Sequence, residues 1–352
     1  APPRPPPGPR TPRPSYHAAG RTPPDADARP AARHDDLVGR FGEFPLFTYW
    51  GPTADITSSQ WIVDATRHVL RTHAPDLTMA YVPHLDYDLQ RFGPTSPQAD
   101  AAAPERAAPR APRRDDAANQ GGTVLVGSEY GIADADRPVH LNRILRREGL
   151  LEVYVQDGKE QLDPWTSRAF AVADHQVAHV YLGDQQDPAL RRRVTDLLRG
   201  VPGVDEVLDR EAQARYGLDH ERSGDLVVVA EPGAWFTYYF WLDDARAPEY
   251  ARGVDIHRKP GYDPAELFFD PADRLAKAKA GLNLVKKKVG LRYAMSTVPL
   301  DASYVKGSHG RLPDSSADTP LVICSDAEVS RSPIRRCRRG REGRSRGGAE
   351  DD

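Results

Sequence analysis

Four short runs of apolar residues punctuate the chain, and each ends in a cluster of polar groups. They are residues 76–82 (DLTMAYV), 123–127 (TVLVG), 225–230 (DLVVVA) and 319–324 (TPLVIC). Runs that are apolar on both faces predict strands buried on both sides, as in a parallel sheet covered by helices. Residues 59–70 supply one such helix, with a serine start and Trp61, Ile62, Ala65 and Val69 at helical spacing. Residues 189–198 supply a second, closed by Gly200. Between residues 150 and 182 the pattern changes to alternation. Residues 151–155 turn at Asp157-Gly158, and 169–173 pair naturally with 178–182. The expected fold class is α/β: a three-layer sandwich with a mostly parallel central sheet and a small α+β insertion at 150–222. In open α/β sheets ligands bind at the carboxyl ends of the strands, so the polar clusters mark where a site belongs.

Composition narrows the folded part. The 33 prolines are unevenly placed. Residues 1–33, 97–122 and 326–352 hold few large apolar side chains and cannot offset the entropy of ordering, so they are expected to be disordered, leaving a domain at 34–325. A parallel sheet needs a crossover between the first two strands, yet Pro104, Pro109 and Pro112 exclude a regular helix there. Either a flexible linker replaces it, or the segment is GC-rich coding sequence in another frame.

A net charge of −3 argues against a nucleic-acid polymer as partner. Cys324 and Cys337 are too few for a disulfide framework and suit a reducing, cytoplasmic compartment. No apolar run is long enough to span a membrane.

The candidate chemistry sits in four places. His84, Asp86 and Asp88 fall in one loop at a strand end, where carboxylate and imidazole are ordinary metal donors or, equally, turn-capping groups. Glu129 and Tyr130 follow the next strand. His309 lies in a glycine-flanked segment, 306–311, whose backbone has the freedom to approach an ion or phosphate. Residues 255–263 gather His257, Arg258 and Lys259, and the two cations either neutralise phosphate or pair with neighbouring aspartates. The aromatic run 235–241 reads as core, and His175, His179 and His220 as structural.

In order along the chain, residues 81–94 (YVPHLDYDLQRFGP), 127–131 (GSEYG), 225–241 and 307–310 (GSHG) resemble the type I phosphodiesterase/nucleotide pyrophosphatase family. That family belongs to the alkaline phosphatase superfamily, and the likeness is strongest to a bacterial branch called simply alkaline phosphatase family proteins. The resemblance implies a metal-dependent hydrolase of phosphodiester or nucleotide pyrophosphate bonds in a small phosphorylated substrate. Two divalent ions, Zn²⁺ by family habit, would be held by Asp and His, with a Thr or Ser nucleophile. It assigns metal binding to Asp86, Glu129 and His309. Gln90 and Tyr130 stand where the family has histidines, so that either His84 or His257 compensates, or a harder ion such as Mn²⁺ is used. Arg258 and Lys259 are the substrate-binding candidates. The family's nucleophile is expected upstream of Phe44, where no matching segment is found. The catalytic residue is therefore unassigned, and the chain is expected to be truncated and impaired. The alternative is a non-catalytic member that binds a metal or a phosphorylated ligand.

Overall fold

The computed structural model describes residues 10–15, 25–100, 121–289, 296–315 and 318–326 of the 352. Segments 97–122 and 326–352, expected to be disordered, lie largely outside those residues; of 1–33, Arg10–Ser15 and Asp25–Arg29 are described as an antiparallel pair, and the helix Ala31–Phe41 begins within it. The described chain is a mixed α/β structure whose core is an antiparallel sheet.

That sheet has four strands, in the order Ala169–Asp174, Val177–Leu182, Leu226–Ala230, Val204–Leu208. All of its pairings are antiparallel. Here the structure corrects the sequence reading. The run 225–230 was expected in a parallel sheet, apart from the 150–222 insertion; instead it is an inner strand of the sheet built from that insertion. Leu226, Val227, Val228 and Ala230 are fully buried because the strand has neighbours on both edges and cover on both faces. A continuous apolar run reports burial on two faces, not strand direction. Direction follows from the connections, since a two-residue turn between Asp174 and Val177 permits only an antiparallel pair.

The helix Pro188–Arg199 covers this sheet with Leu190, Val194 and Leu198, four residues apart on one stripe. Asp187 caps it by accepting from the Ala189 and Leu190 amides, and Pro188 occupies the first turn, where its missing N–H costs nothing. The aromatic run Trp235 to Trp241 is buried at every position. Each of its large rings contributes about 1.5–3 kcal/mol of burial before entropy. Its first part, Gly233–Phe236, runs parallel to Ala133–Val139, which also pairs antiparallel with Gly307–Ser308.

Two further expectations fail. Residues 76–82 form no strand, and Leu77 and Met79 are 79% and 83% exposed. Residues 125–127 and 322–324 are strands, but they form an isolated antiparallel ribbon instead of joining a central sheet. The Ile56–His73 helix forms around the predicted 59–70 stretch. Its cap is Asp55, which accepts from the Thr57 amide, not the anticipated serine.

The helix His84–Phe92 packs directly against residues 306–308. The Lys306 amide donates to the Gln90 carbonyl at 2.9 Å. A Cβ at Gly307 would lie 2.2 Å from the Leu89 carbonyl oxygen, so only glycine admits this approach. Gly307→Ala should push the helix away and lower stability by about 1–3 kcal/mol, read from the urea midpoint. An unchanged midpoint would show that the contact is dispensable.

Candidate functional site

Asp86 lies in the first turn of the His84–Phe92 helix, not in a loop as the sequence suggested. The helix is held by its inner face. Tyr87 donates to the Tyr49 carbonyl, and Arg91 donates to the carbonyls of Leu267, Ala54 and Gly51. Gln90 falls one turn after Asp86, on the same face. Its Nε2 donates to Asp86 Oδ2 at 2.7 Å. The other carboxylate oxygen, Oδ1, accepts from the Tyr130 hydroxyl at 3.3 Å. Asp86, Gln90 and Tyr130, taken from two distant motifs, therefore meet.

Tyr130 also stacks on His309, with ring centroids 3.5 Å apart and planes within 2°. His309 in turn stacks on His175 at 3.8 Å, and His175 lies 4.4 Å from the Tyr262 ring. Four rings thus form a continuous column beside Asp86. His175 was read from sequence as structural. It occupies the two-residue turn between the first two strands of the main sheet, with φ at +56°. Glycine, asparagine or aspartate is the usual choice there, and a histidine held in that region is a strained residue of the kind found at functional sites. Its Nδ1 lies 2.8 Å from Asp174 Oδ1, while its Nε2 is buried without a hydrogen-bond partner.

Electrostatics follow from burial. The Asp86 carboxyl is raised above its ordinary value by desolvation, against the opposing pull of the Gln90 bond and of His175. Burial, and then the charge of Asp86, raise the Tyr130 hydroxyl. His309 is pushed down to about 3, first by burial and then by His175. At neutral pH its ring is uncharged and offers a lone pair. Among the described residues no lysine or arginine pairs with Asp86.

Other predicted residues stand apart. Glu129 is exposed, although its charge still acts on Asp86. His84 precedes Asp86 by two residues on the helix, which turns it toward a different face. Asp88 pairs with Arg91 at 3.3 Å. His257 is exposed in the turn before Lys259. Lys259 is no substrate contact: its ammonium is fully buried between Asp263 at 2.8 Å and Glu266 at 2.7 Å. Arg258 lies over the Tyr250 ring, 5.4 Å from its centroid, and 3.6 Å from Asp255. The sequence alternative, that these cations pair with neighbouring carboxylates, is the one realised.

The family pattern of type I phosphodiesterase / nucleotide pyrophosphatase matches residues 7–263, which include Asp86, Gln90 and Tyr130 and end before His309. The chain belongs to this family. No curated protein matches it. Among solved structures, it is similar to phosphonoacetate hydrolase from Sinorhizobium meliloti 1021 in complex with phosphonoformate. That likeness has 19% identity and a TM-score of 0.37, covering 55% of this chain and 45% of that one. Murine ectonucleotide pyrophosphatase / phosphodiesterase 5 is similar at 16% identity and a TM-score of 0.33, covering 51% of this chain and 45% of that one. The alignments thus span less than half the length of either protein.

The resemblance implies metal ions, and the donor set can be tested against them. Gln90 and Tyr130 take two ligand positions with groups that bind zinc poorly, so the residues do not suit two ions. They do suit one. Asp86 has neutral hydrogen-bond partners only, His309 is an uncharged imidazole, and His175 Nε2 is buried and unpaired. As placed, no three His, Cys, Asp or Glu side chains among the described residues stand close enough together to hold an ion, because Tyr130 bridges Asp86 and His309. Such an ion would supply the positive charge that the site's side chains lack.

His309 carries a pH prediction. Its folded pKa lies below the ordinary histidine value, so its contribution is complete above about pH 6.5 and is lost as pH falls toward about 3. Urea midpoints should fall across that window, and His309→Gln should flatten the fall relative to the parent chain. Parallel pH profiles for the two would show that His309 is not held neutral.

Proposed function

We propose that this chain hydrolyses phosphodiester or nucleotide pyrophosphate bonds in small phosphorylated molecules and depends on a divalent ion, Zn²⁺ or Mn²⁺. One observation carries the reading. The family positions Asp86, Gln90, Tyr130 and His309, separated along the chain, converge on one centre. Asp86 and His309 would hold the ion, with Glu129 as a nearby carboxylate. The ion would offset phosphate charge beside an otherwise acidic and neutral cluster. The need is physical: a phosphate brought next to Asp86 and Glu129 without a cation meets only repulsion. Tyr130 and Gln90, both donors, are placed to orient Asp86. The nucleophile is not assigned to a residue.

A second reading, binding of a phosphorylated ligand without turnover, is favoured by Gln90 and Tyr130 themselves, since each occupies one Asp86 oxygen with a neutral hydrogen bond. The free Cys324 suits a cytoplasmic setting. Among the described residues no helix is long and apolar enough to cross a membrane.

Hydrolysis of bis-p-nitrophenyl phosphate, with and without Zn²⁺ or Mn²⁺, separates the two. The hydrolase reading expects metal-stimulated release of nitrophenol that falls at least tenfold in Asp86→Ala. Saturable binding of a nucleotide with no release under any metal would favour the binding reading.

A further inference from the structure

We propose that the helix Ala276–Lys288 is an interfacial helix that seats this chain on an anionic lipid surface. It lies beyond the family match, which ends at residue 263, and holds none of the residues of the site.

The helix is built from strong helix formers, chiefly alanine, lysine and leucine. It starts beside Asp273, whose Oδ1 accepts from the Leu275 amide at 3.1 Å. The Lys279 amide donates to the Leu275 carbonyl, and the Val289 amide to the Val285 carbonyl, so the helical path runs from Leu275 to Val289. Leu275, Ala278, Leu282, Val285 and Val289 are spaced alternately three and four residues apart. At about 3.6 residues per turn they fall on one stripe. All five are exposed, and the four large ones lie between 56% and 64%. A different face meets the body: Ala276 is buried, and Ala280 and Asn283 are half-buried. A surface helix ordinarily turns its apolar stripe to the core. This one docks through small residues and presents its large apolar ones to solvent, an arrangement that marks an interaction surface.

Charge selects the occupant. Residues 274–289 hold six basic residues and no acidic one, in a chain whose net charge is −3. Lys279 and Lys286, four residues after Leu275 and Leu282, border the stripe. Asp273 balances Lys279 at 2.7 Å. A second copy of this chain would bring the same lysines to the flanks of a paired stripe, where like charges repel. The stripe spans two heptads, fewer than the roughly three or four that sustain a coiled coil with an acidic partner helix. An anionic bilayer meets both demands. Leucine and valine enter the headgroup boundary, while lysine stems lie along it and their ammonium groups reach lipid phosphates. At 13 residues the helix is too short to cross a bilayer and lies in its surface plane.

The test is flotation of the full chain with vesicles of phosphatidylcholine, alone or mixed with phosphatidylserine. The parent chain should bind the mixed vesicles about tenfold more tightly or better, and high salt should release it. Leu282→Gln combined with Val285→Gln, both at exposed positions, should weaken binding by about tenfold or more with the circular dichroism spectrum unchanged. Lys286→Gln should weaken it about fivefold, the share of one basic residue at an anionic surface. Equal binding to both vesicle types, or binding that all these variants retain, would overturn the assignment. A parent chain that ignores vesicles would overturn it too. In that case a dimer that the double variant dissociates would give the stripe to a second copy, and uptake of an acidic helical peptide would give it to a protein partner.

Discussion

Gln176 ties together the segments that the site depends on. Its amide donates to the His309 carbonyl, its carbonyl accepts from Ala230, and its side-chain amide donates to the Ala234 carbonyl. It is 1% exposed, so each of these bonds is made in a dry interior where leaving one unmade costs about 1–3 kcal/mol. One residue thereby joins the tight turn, the inner strand Leu226–Ala230, the aromatic run and the glycine-rich segment of His309. The positions of His175 and His309 are consequences of that junction. Asp86 reaches the same place from a different direction, through a helix docked on Gly307.

The centre has an electrostatic imbalance. Asp86 and the nearby Glu129 supply negative charge, while Gln90, Tyr130 and His309 supply only neutral groups. Two other buried carboxylate sites carry their own cation. Lys259 sits between Asp263 and Glu266, and Trp50 Nε1 donates to Glu266 at 2.6 Å. Arg146 is 2.5 Å from the buried Glu160. Asp86, by contrast, has an amide and a phenol as its hydrogen-bond partners, and a buried histidine with an unpartnered nitrogen lies one ring further along the stack.

Much of this was legible in the sequence, for identifiable reasons. The hairpin at 169–182 follows from alternation and a two-residue turn, and the helix at 188–199 from its cap and its i, i+4 stripe. The motif residues Asp86, Gln90, Tyr130 and His309 meet as the family resemblance implied. Strand direction was not legible. An apolar run such as 225–230 records two-sided burial, and whether its neighbours run parallel depends on connections that periodicity does not encode. The loop expected at His84–Asp88 is the start of a helix whose inner face, Tyr87 and Arg91, is docked on residues distant in sequence, contacts that local pattern does not encode. Lys259 stays open in the sequence between phosphate contact and pairing with Asp263, because spacing alone does not distinguish a basic patch from cations paired within seven residues; the structure shows the pairing, with Asp263 and Glu266. His175 reads as structural in the sequence because an isolated histidine carries no spacing, and its place in the turn at positive φ emerges only with the fold.

The central claim is that Asp86 and His309, brought to one centre through Tyr130, hold the divalent ion on which hydrolysis depends. Zinc K-edge X-ray absorption on the zinc-loaded chain tests it most directly. At least one imidazole nitrogen and one carboxylate oxygen at about 2.0–2.2 Å are expected. A zinc shell without any imidazole would contradict it.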